Sequence, residues 1–312
     1  MVKAAWAASP ATIIPASGGD RDLNFCFGLE DYFHSISRIM NYRTLGRTGL
    51  KVSEIGYGGG RVRPDQDVEE IKSVLNHAID AGINFFDTAP TYGGGLSEEL
   101  IGQVIGGRRE SIVLATKTMP RDPAGIIECV EGSLRRLGVE TIDILQFHGG
   151  WIPSEDADQI LNDGGLDTYL KLRDEGKIRF LAFSADGPGN GILQLIRTGK
   201  FDAIQCHYNL FYQAMFDGFC AEGIMAEAEK EEMGIFTMRS TTSSAFTNLM
   251  KQCFPEFAAA NDLESFLLNY TLSNPLVDSA LMSLQSVEAV NACARVSDDI
   301  GSRVDIRAVH GR

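Results

Sequence analysis

Four side chains in the first half of this 312-residue chain have types and spacing that suit moving a proton to a carbonyl oxygen: Asp87, Tyr92, Lys117 and His148. A tyrosine hydroxyl, with an ordinary pKa of ~10, gives up its proton near neutrality only beside a cation, and a lysine buried there needs a carboxylate to stay charged. Asp87 can hold Lys117, Lys117 can make Tyr92 a better acid, and His148 can orient the oxygen being protonated. Singly, each has a plain structural reading: Asp87 with Lys117 as an ion pair, His148 as a hydrogen-bonded rim residue, Tyr92 as a loop aromatic. Jointly, they suit protonation of a carbonyl as hydride arrives at its carbon.

Such a set works only if separate elements bring it together, and the pattern around it says how. Ile83, Phe85 and Asp87 share one parity; so do Val113, Ala115 and Lys117, and again Ile142, Ile144, Gln146 and His148. Side chains alternate faces along a strand, so three consecutive strands each end an apolar series with a polar residue. Barrel enzymes place catalytic groups at that C-terminal rim. Tyr92 follows in the glycine-rich loop Pro90 to Gly95, which can fold over the same mouth.

The spacing predicts eight strands, near Glu54–Gly58, Ile83–Phe86, Ser111–Thr116, Ile142–Phe147, Ile178–Phe183, Ala203–Cys206, Ile235–Met238 and Val277–Met282. Between them Asp67 to Glu70 reads as a capping box, opening a helix with Val68, Ile71, Val74, Leu75, Ala78 and Ile79 on one face. Asp122 and Pro123 open a second helix that runs to Gly138. Further helices fit Ser97–Ile105, Leu166–Glu175, Gly189–Arg197, Ala221–Met233, Leu263–Ser273 and Ser286–Val296. Eight βα pairs in series argue for an α/β architecture, a (β/α)8 TIM barrel, and Tyr42–Leu45 with Leu50–Ser53 form an N-terminal β-hairpin that closes its bottom. The alternative, a doubly wound open sheet, calls for a glycine fingerprint after the first strand. Gly56, Gly58, Gly59 and Gly60 begin one, but Arg61 stands where its last glycine belongs.

These segments resemble a known family. Tyr42 to Ser53 is similar to the opening of aldo-keto reductases, Asn84 to Gly93 followed by Ser97 and Glu98 resembles their first signature, and Ile142 to His148 resembles their histidine strand. The match runs over about residues 41 to 297. The resemblance implies a barrel that binds NADPH, or NADH, without a Rossmann domain and reduces aldehydes or ketones or oxidises the matching alcohols. By it Tyr92 is the general acid, Lys117 and Asp87 tune it, and His148 positions the carbonyl. It also implies that Ser184 and Gln205 hydrogen-bond the nicotinamide carboxamide and that Met238 stacks on its ring. Here Ala185 replaces the asparagine the family usually has after the serine, removing a hydrogen bond worth ~1 kcal/mol. Gly59 and Gly60, together with Arg239, Ser240 and the hydroxyls of Thr241 to Ser244, are candidates along the cofactor's path. Ser283, Ser286 and Asn291 match the adenosine-phosphate segment, with Ser286 as the N-cap of a helix whose N-terminus suits a phosphate. Leu284, Gln285 and Glu288 are not basic, which leaves Arg239 and Arg295 as the cations available for an NADP preference. Tyr57, Trp151, Phe211 and Tyr212 are candidates for an apolar substrate pocket. The stretch from Ser240 to Asp262 reads as a clasp or lid. A cofactor-binding regulatory subunit of the same fold is the alternative function.

Composition narrows the partners. A formal net charge of −14 repels phosphate backbones, so no nucleic acid is expected. No apolar run approaches the ~18–20 residues that cross a bilayer, so no membrane is expected either. Five histidines without ligand spacing to carboxylates or cysteines speak against a metal-dependent hydrolase, and no metal is assigned. Six scattered cysteines without a C-x-x-C pair fit a reducing, cytoplasmic setting. The partner is then a small-molecule carbonyl or alcohol, and the protein a monomer or small homo-oligomer. Residues 1–39, rich in Ala, Ser, Pro and Gly at their start, read as a poorly ordered tail, and 40–312 as the barrel.

Overall fold

A computed structural model of the chain describes residues 40–309, apart from 188, 214–216 and 219–220. The tail expected at 1–39 lies outside the described residues. Strands β1 (Tyr42–Thr44) and β2 (Lys51–Ser53) pair as an antiparallel hairpin in the register Tyr42 with Ser53. Strands β3 (Ile55–Gly58), β4 (Phe85–Asp87), β5 (Val113–Thr118), β6 (Ile142–Phe147), β7 (Ile178–Ala185) and β8 (Ala203–His207) follow. After a two-residue pair, β9 (Asp217–Gly218) and β10 (Ala221–Glu222), come β11 (Gly234–Met238) and β12 (Ser279–Met282). Parallel pairing closes β3 to β8, β11 and β12 into a barrel of eight strands.

The predicted alternation holds inside it. Phe85, Val113, Ala115, Ile144, Phe180, Ala182, Ala203, Phe236 and Leu281 form one cluster, joined by Leu45, Leu50 and Val52 of the hairpin. Phe85 and Phe236 meet edge to face at 5.0 Å between ring centres. The lumen is thus a packed core rather than a pore, and each buried phenylalanine stabilises it by ~1.5–3 kcal/mol. The hairpin seals the end where the strands begin: Asn84, just before β4, bonds the Ser53 amide and the Lys51 carbonyl, and Arg47 bonds the Phe201 carbonyl just before β8. Ile83 and Ile142 depart from the expected parity series; both belong to the cluster between sheet and helices. Ile83 precedes β4, where alternation is not yet enforced by pairing.

The capping signals are realised. Asp67 accepts the Glu69 and Glu70 amides and Asp122 accepts that of Gly125, opening helices Val68–Asp80 and Pro123–Leu137. Val74, Leu75 and Ala78 are buried as the pattern requires, whereas Val68 at the helix start is exposed. Among the described residues, besides the one-turn helix Ile306–Val309, three helices were not legible: Ser154–Asn162, Ala245–Cys253 and Pro255–Ala260. They bury few side chains, only Ala157 and Ile160 in the first and Thr247 in the second, so no apolar period marks them. The last two occupy most of the stretch read as a clasp.

Candidate active site

The C-terminal ends of the strands open into a cleft of about 510 Å³. Asp87 ends β4, Lys117 stands near the end of β5, and His148 directly follows β6; all three line the cleft. Tyr92 reaches it from the loop above β4. Gly93, Gly94 and Gly95 take φ of 60°, 68° and 102°, a run of left-handed turns that only glycine adopts freely. They reverse the chain after Tyr92 and deliver it into helix Leu96–Ile105. Ser97 of that helix bonds Thr88 at 2.8 Å, tying the helix to the residue after β4.

Lys117 and Asp87 are nearly inaccessible to solvent and 2.6 Å apart. An isolated buried charge would be costly, and here the two charges pair with each other and take further hydrogen bonds. Lys117 Nζ also donates to the Thr88 carbonyl at 2.8 Å, while Asp87 accepts Gln146 Nε2 at 2.7 Å and Gln205 Nε2 at 3.3 Å. Burial pulls the lysine ammonium down, but attraction to Asp87 and Tyr92 outweighs it, so it holds its proton above the ordinary lysine value. Its nitrogen lies 4.9 Å from the centre of the Tyr92 ring. The His148 ring stands edge-on to Tyr92 at 5.9 Å. Burial, then Lys117 and Arg121, push that imidazole down to about 4, so it is neutral near pH 7.

The residues expected for the cofactor divide. Gly60, Ser184, Gln205, Met238, Arg239, Ser240 and Ser283 line the cleft. Ser184 shares its hydroxyl with the amide and carbonyl of Gly149. Gly59 faces the other way; a Cβ there would meet Ser97 Oγ at 2.2 Å, so its glycine serves packing. Ser286 caps helix Val287–Asp298 by accepting the Ala289 amide. Asn291 turns from the cleft and bonds His77 at 3.1 Å. The helix face that lines the cleft is instead Ala289, Ala292 and Cys293, a spacing of three and four residues that marks one side. Across from it stand Asp262, Glu264, Ser265 and Leu268.

The aromatic candidates do not line the cleft. Tyr57, on the outward parity of β3, is buried against Phe86 at 5.5 Å. Trp151 is 67% exposed, Phe211 packs on Phe246, and Tyr212 stacks on His207 at 4.1 Å. The rim is instead polar, with Asp186 and Arg239 3.7 Å apart.

Sequence reading missed Gln146, Asp262, Glu264 and Arg61, which line or brace the site. Gln146 carried a signal, since it shares the inward parity of β6 two residues before His148. Asp262 and Glu264 carried none, because their position depends on how the preceding segment folds. Among the described residues no three His, Cys, Asp or Glu side chains gather as a metal site would require.

Comparison with known proteins places the fold in a family. The chain is 30% identical over 280 residues to the uncharacterized oxidoreductase YqkF of Bacillus subtilis, covering 80% of this chain and 88% of that protein. It is 28% identical over 283 residues to L-galactose dehydrogenase of Arabidopsis thaliana, covering 80% of this chain and 85% of the relative. In structure it resembles an aldo-keto reductase of Bacillus halodurans in its holo form, with a TM-score of 0.70 at 23% identity over 83% of this chain and 91% of the other. The model of the aldo/keto reductase family matches residues 54–298, and the chain belongs to that family.

Proposed function

We propose that this protein is a nicotinamide-dependent oxidoreductase that interconverts an aldehyde or ketone and the corresponding alcohol, with Tyr92 as the general acid. The observation that carries the reading is the convergence of Asp87, Tyr92, Lys117 and His148 on one cleft beside Gln205. The residues present fit a nicotinamide: Gln205 lines the cleft and its Oε1 is buried without a partner, an acceptor for a carboxamide N–H. Ser184 supplies a hydroxyl and Met238 an apolar face in the same wall.

When bound, the reduced nicotinamide supplies hydride to the carbonyl carbon. Tyr92 donates its hydroxyl proton to the oxygen. The Lys117 ammonium, held in place by Asp87 and itself buried, stabilises the negative charge left on the tyrosine oxygen. His148, being neutral, hydrogen-bonds the carbonyl oxygen without protonating it. A regulatory subunit of the same fold needs no proton donor, and the completeness of this set favours turnover. Similarity to L-galactose dehydrogenase, together with the Asp186 and Arg239 rim, favours hydroxylated, sugar-like substrates over apolar ones.

The test is the absorbance of NADPH, and separately NADH, mixed with the protein and a panel of aldehydes, ketones and sugars, with the oxidised cofactors run against the alcohols. Turnover with at least one cofactor is expected. Absence of nucleotide binding would overturn the reading.

A further inference from the structure

The two ends of the cleft differ in charge. The cleft that holds Ser184, Gln205 and Met238 is also lined by Arg239, Ser244 and Ser283 and by Asp262, Glu264, Ala289, Ala292 and Cys293, which would hold the adenosine of a dinucleotide whose nicotinamide sat at Gln205. Resting on the cofactor reading above, we infer that this chain selects NADH over NADPH, because its adenosine-ribose wall is acidic and lacks a cation for a 2′-phosphate.

The wall's carboxylates are held by hydrogen bonds. Asp262 accepts the Ser265 amide at 3.1 Å and its hydroxyl at 2.7 Å, and Glu264 accepts the Thr247 hydroxyl at 2.7 Å. These bonds fix the direction of the two side chains. A carboxylate accepts a hydrogen bond from a ribose 2′-hydroxyl but repels the near-dianionic phosphate that replaces it in NADPH. The opposite face adds no compensation. Ala289 and Ala292 are uncharged, and burial followed by the nearby Glu264 and Asp262 pushes the Cys293 thiol up to about 12, so it stays neutral.

The cations of the described cleft lining are committed elsewhere. Lys117 is paired with Asp87 and Arg239 lies 3.7 Å from Asp186, both at the nicotinamide end. Arg61 follows Gly60, whose Cβ position is 3.6 Å from the Tyr92 ring, and lines both the cleft and a neighbouring cavity with Ser283 and Gln285; selection of NADH requires it to serve the pyrophosphate common to both cofactors. Arg295, the sequence candidate, does not line the cleft and is exposed on the helix.

The experiment is titration of the intact protein with NADH and NADPH, reading the cofactor's fluorescence on binding, so that no substrate is needed. NADH is expected to bind at least about tenfold more tightly, a difference of ~1.4 kcal/mol. Asp262→Asn combined with Glu264→Gln keeps the helix cap and the hydrogen bonds while removing both charges, and is expected to shrink that ratio severalfold, chiefly by tightening NADPH. Arg61→Ala is expected to weaken both nucleotides alike. Equal or tighter binding of NADPH by the unaltered protein, an unchanged ratio in the double variant, or selective loss of NADPH in Arg61→Ala would each overturn the inference while leaving the proposed reaction standing. Binding of neither nucleotide would overturn both.

Discussion

The two halves of the cleft are constructed differently. At the nicotinamide end the polar groups come from strand ends of the closed barrel and bond one another: Asp87 alone takes Lys117, Gln146 and Gln205. At the adenosine end the walls are two helices and a connecting segment, and the groups lining the cleft are small, acidic or hydroxylic, with Leu268 and Leu284 among them. The segment between the ends is also unusual in its backbone: Arg239, Thr242, Ser243 and Ser244 all have φ between 51° and 68°. Such values cost non-glycine residues of order 1 kcal/mol or more and gather at functional sites. On the proposed reading, chemistry is built on the sheet and recognition of the cofactor's tail on the connections beyond it.

The largest effect expected comes from breaking the bonded half at its centre. Lys117→Met leaves Asp87 buried without its counter-ion, which costs ~3–5 kcal/mol of stability, and should slow the chemical step by ~10²–10⁴-fold. Single-turnover rates beside cofactor dissociation constants separate the two roles, and equal damage to both would count against Lys117 acting on Tyr92. Gln146→Leu removes one donor to Asp87 and should lower turnover ~10-fold, an amount matching the loss of a hydrogen bond to a charged group. An unchanged rate would show that Lys117 alone holds the aspartate.

Smaller effects probe how the ends communicate. Gln205→Leu removes the acceptor proposed for the carboxamide and should weaken both NADH and NADPH by ~5–10-fold, whereas the Asp262 and Glu264 changes should separate the two cofactors. Equal behaviour of the two sets would erase the distinction between the halves. The last effect is on stability. His148 is held neutral down to about pH 4, while in the unfolded chain it takes up a proton near 6.5. Its contribution is therefore complete above about pH 6.5 and lost as pH falls toward 4. Urea midpoints of His148→Gln should decline less over that window than those of the unaltered protein, and parallel curves would contradict this.

The same division explains what was legible. Strand-end residues were readable because alternation holds toward the C-terminal ends of the strands: Asp87 and Lys117 fall where parity puts them, and β6 spans Ile142–Phe147 as expected, although Ile142 at its start departs from the series. Helix starts at Asp67 and Asp122 were readable because capping is local. Asn291 failed because a helix presents a face of roughly a third of its positions, and a shift of one residue, to Ala292, moves a side chain ~100° around the axis. Tyr57 failed because large aromatics pack on either side of a strand, and its outward parity put it against Phe86. The helix that carries the acidic wall was legible, since Leu263–Leu272 buries Leu263, Leu267 and Leu268, but nothing in the sequence marked Asp262 at its cap and Glu264 in its first turn as facing the cleft.

The central claim is that Tyr92 gives up the proton in a site where the cofactor is held by other residues. The direct measurement is cofactor oxidation by Tyr92→Phe with a carbonyl substrate that the unaltered protein turns over, alongside fluorescence titration of the same cofactor. The account predicts turnover reduced ~10²–10⁴-fold with cofactor affinity retained. Turnover close to that of the unaltered protein would contradict it.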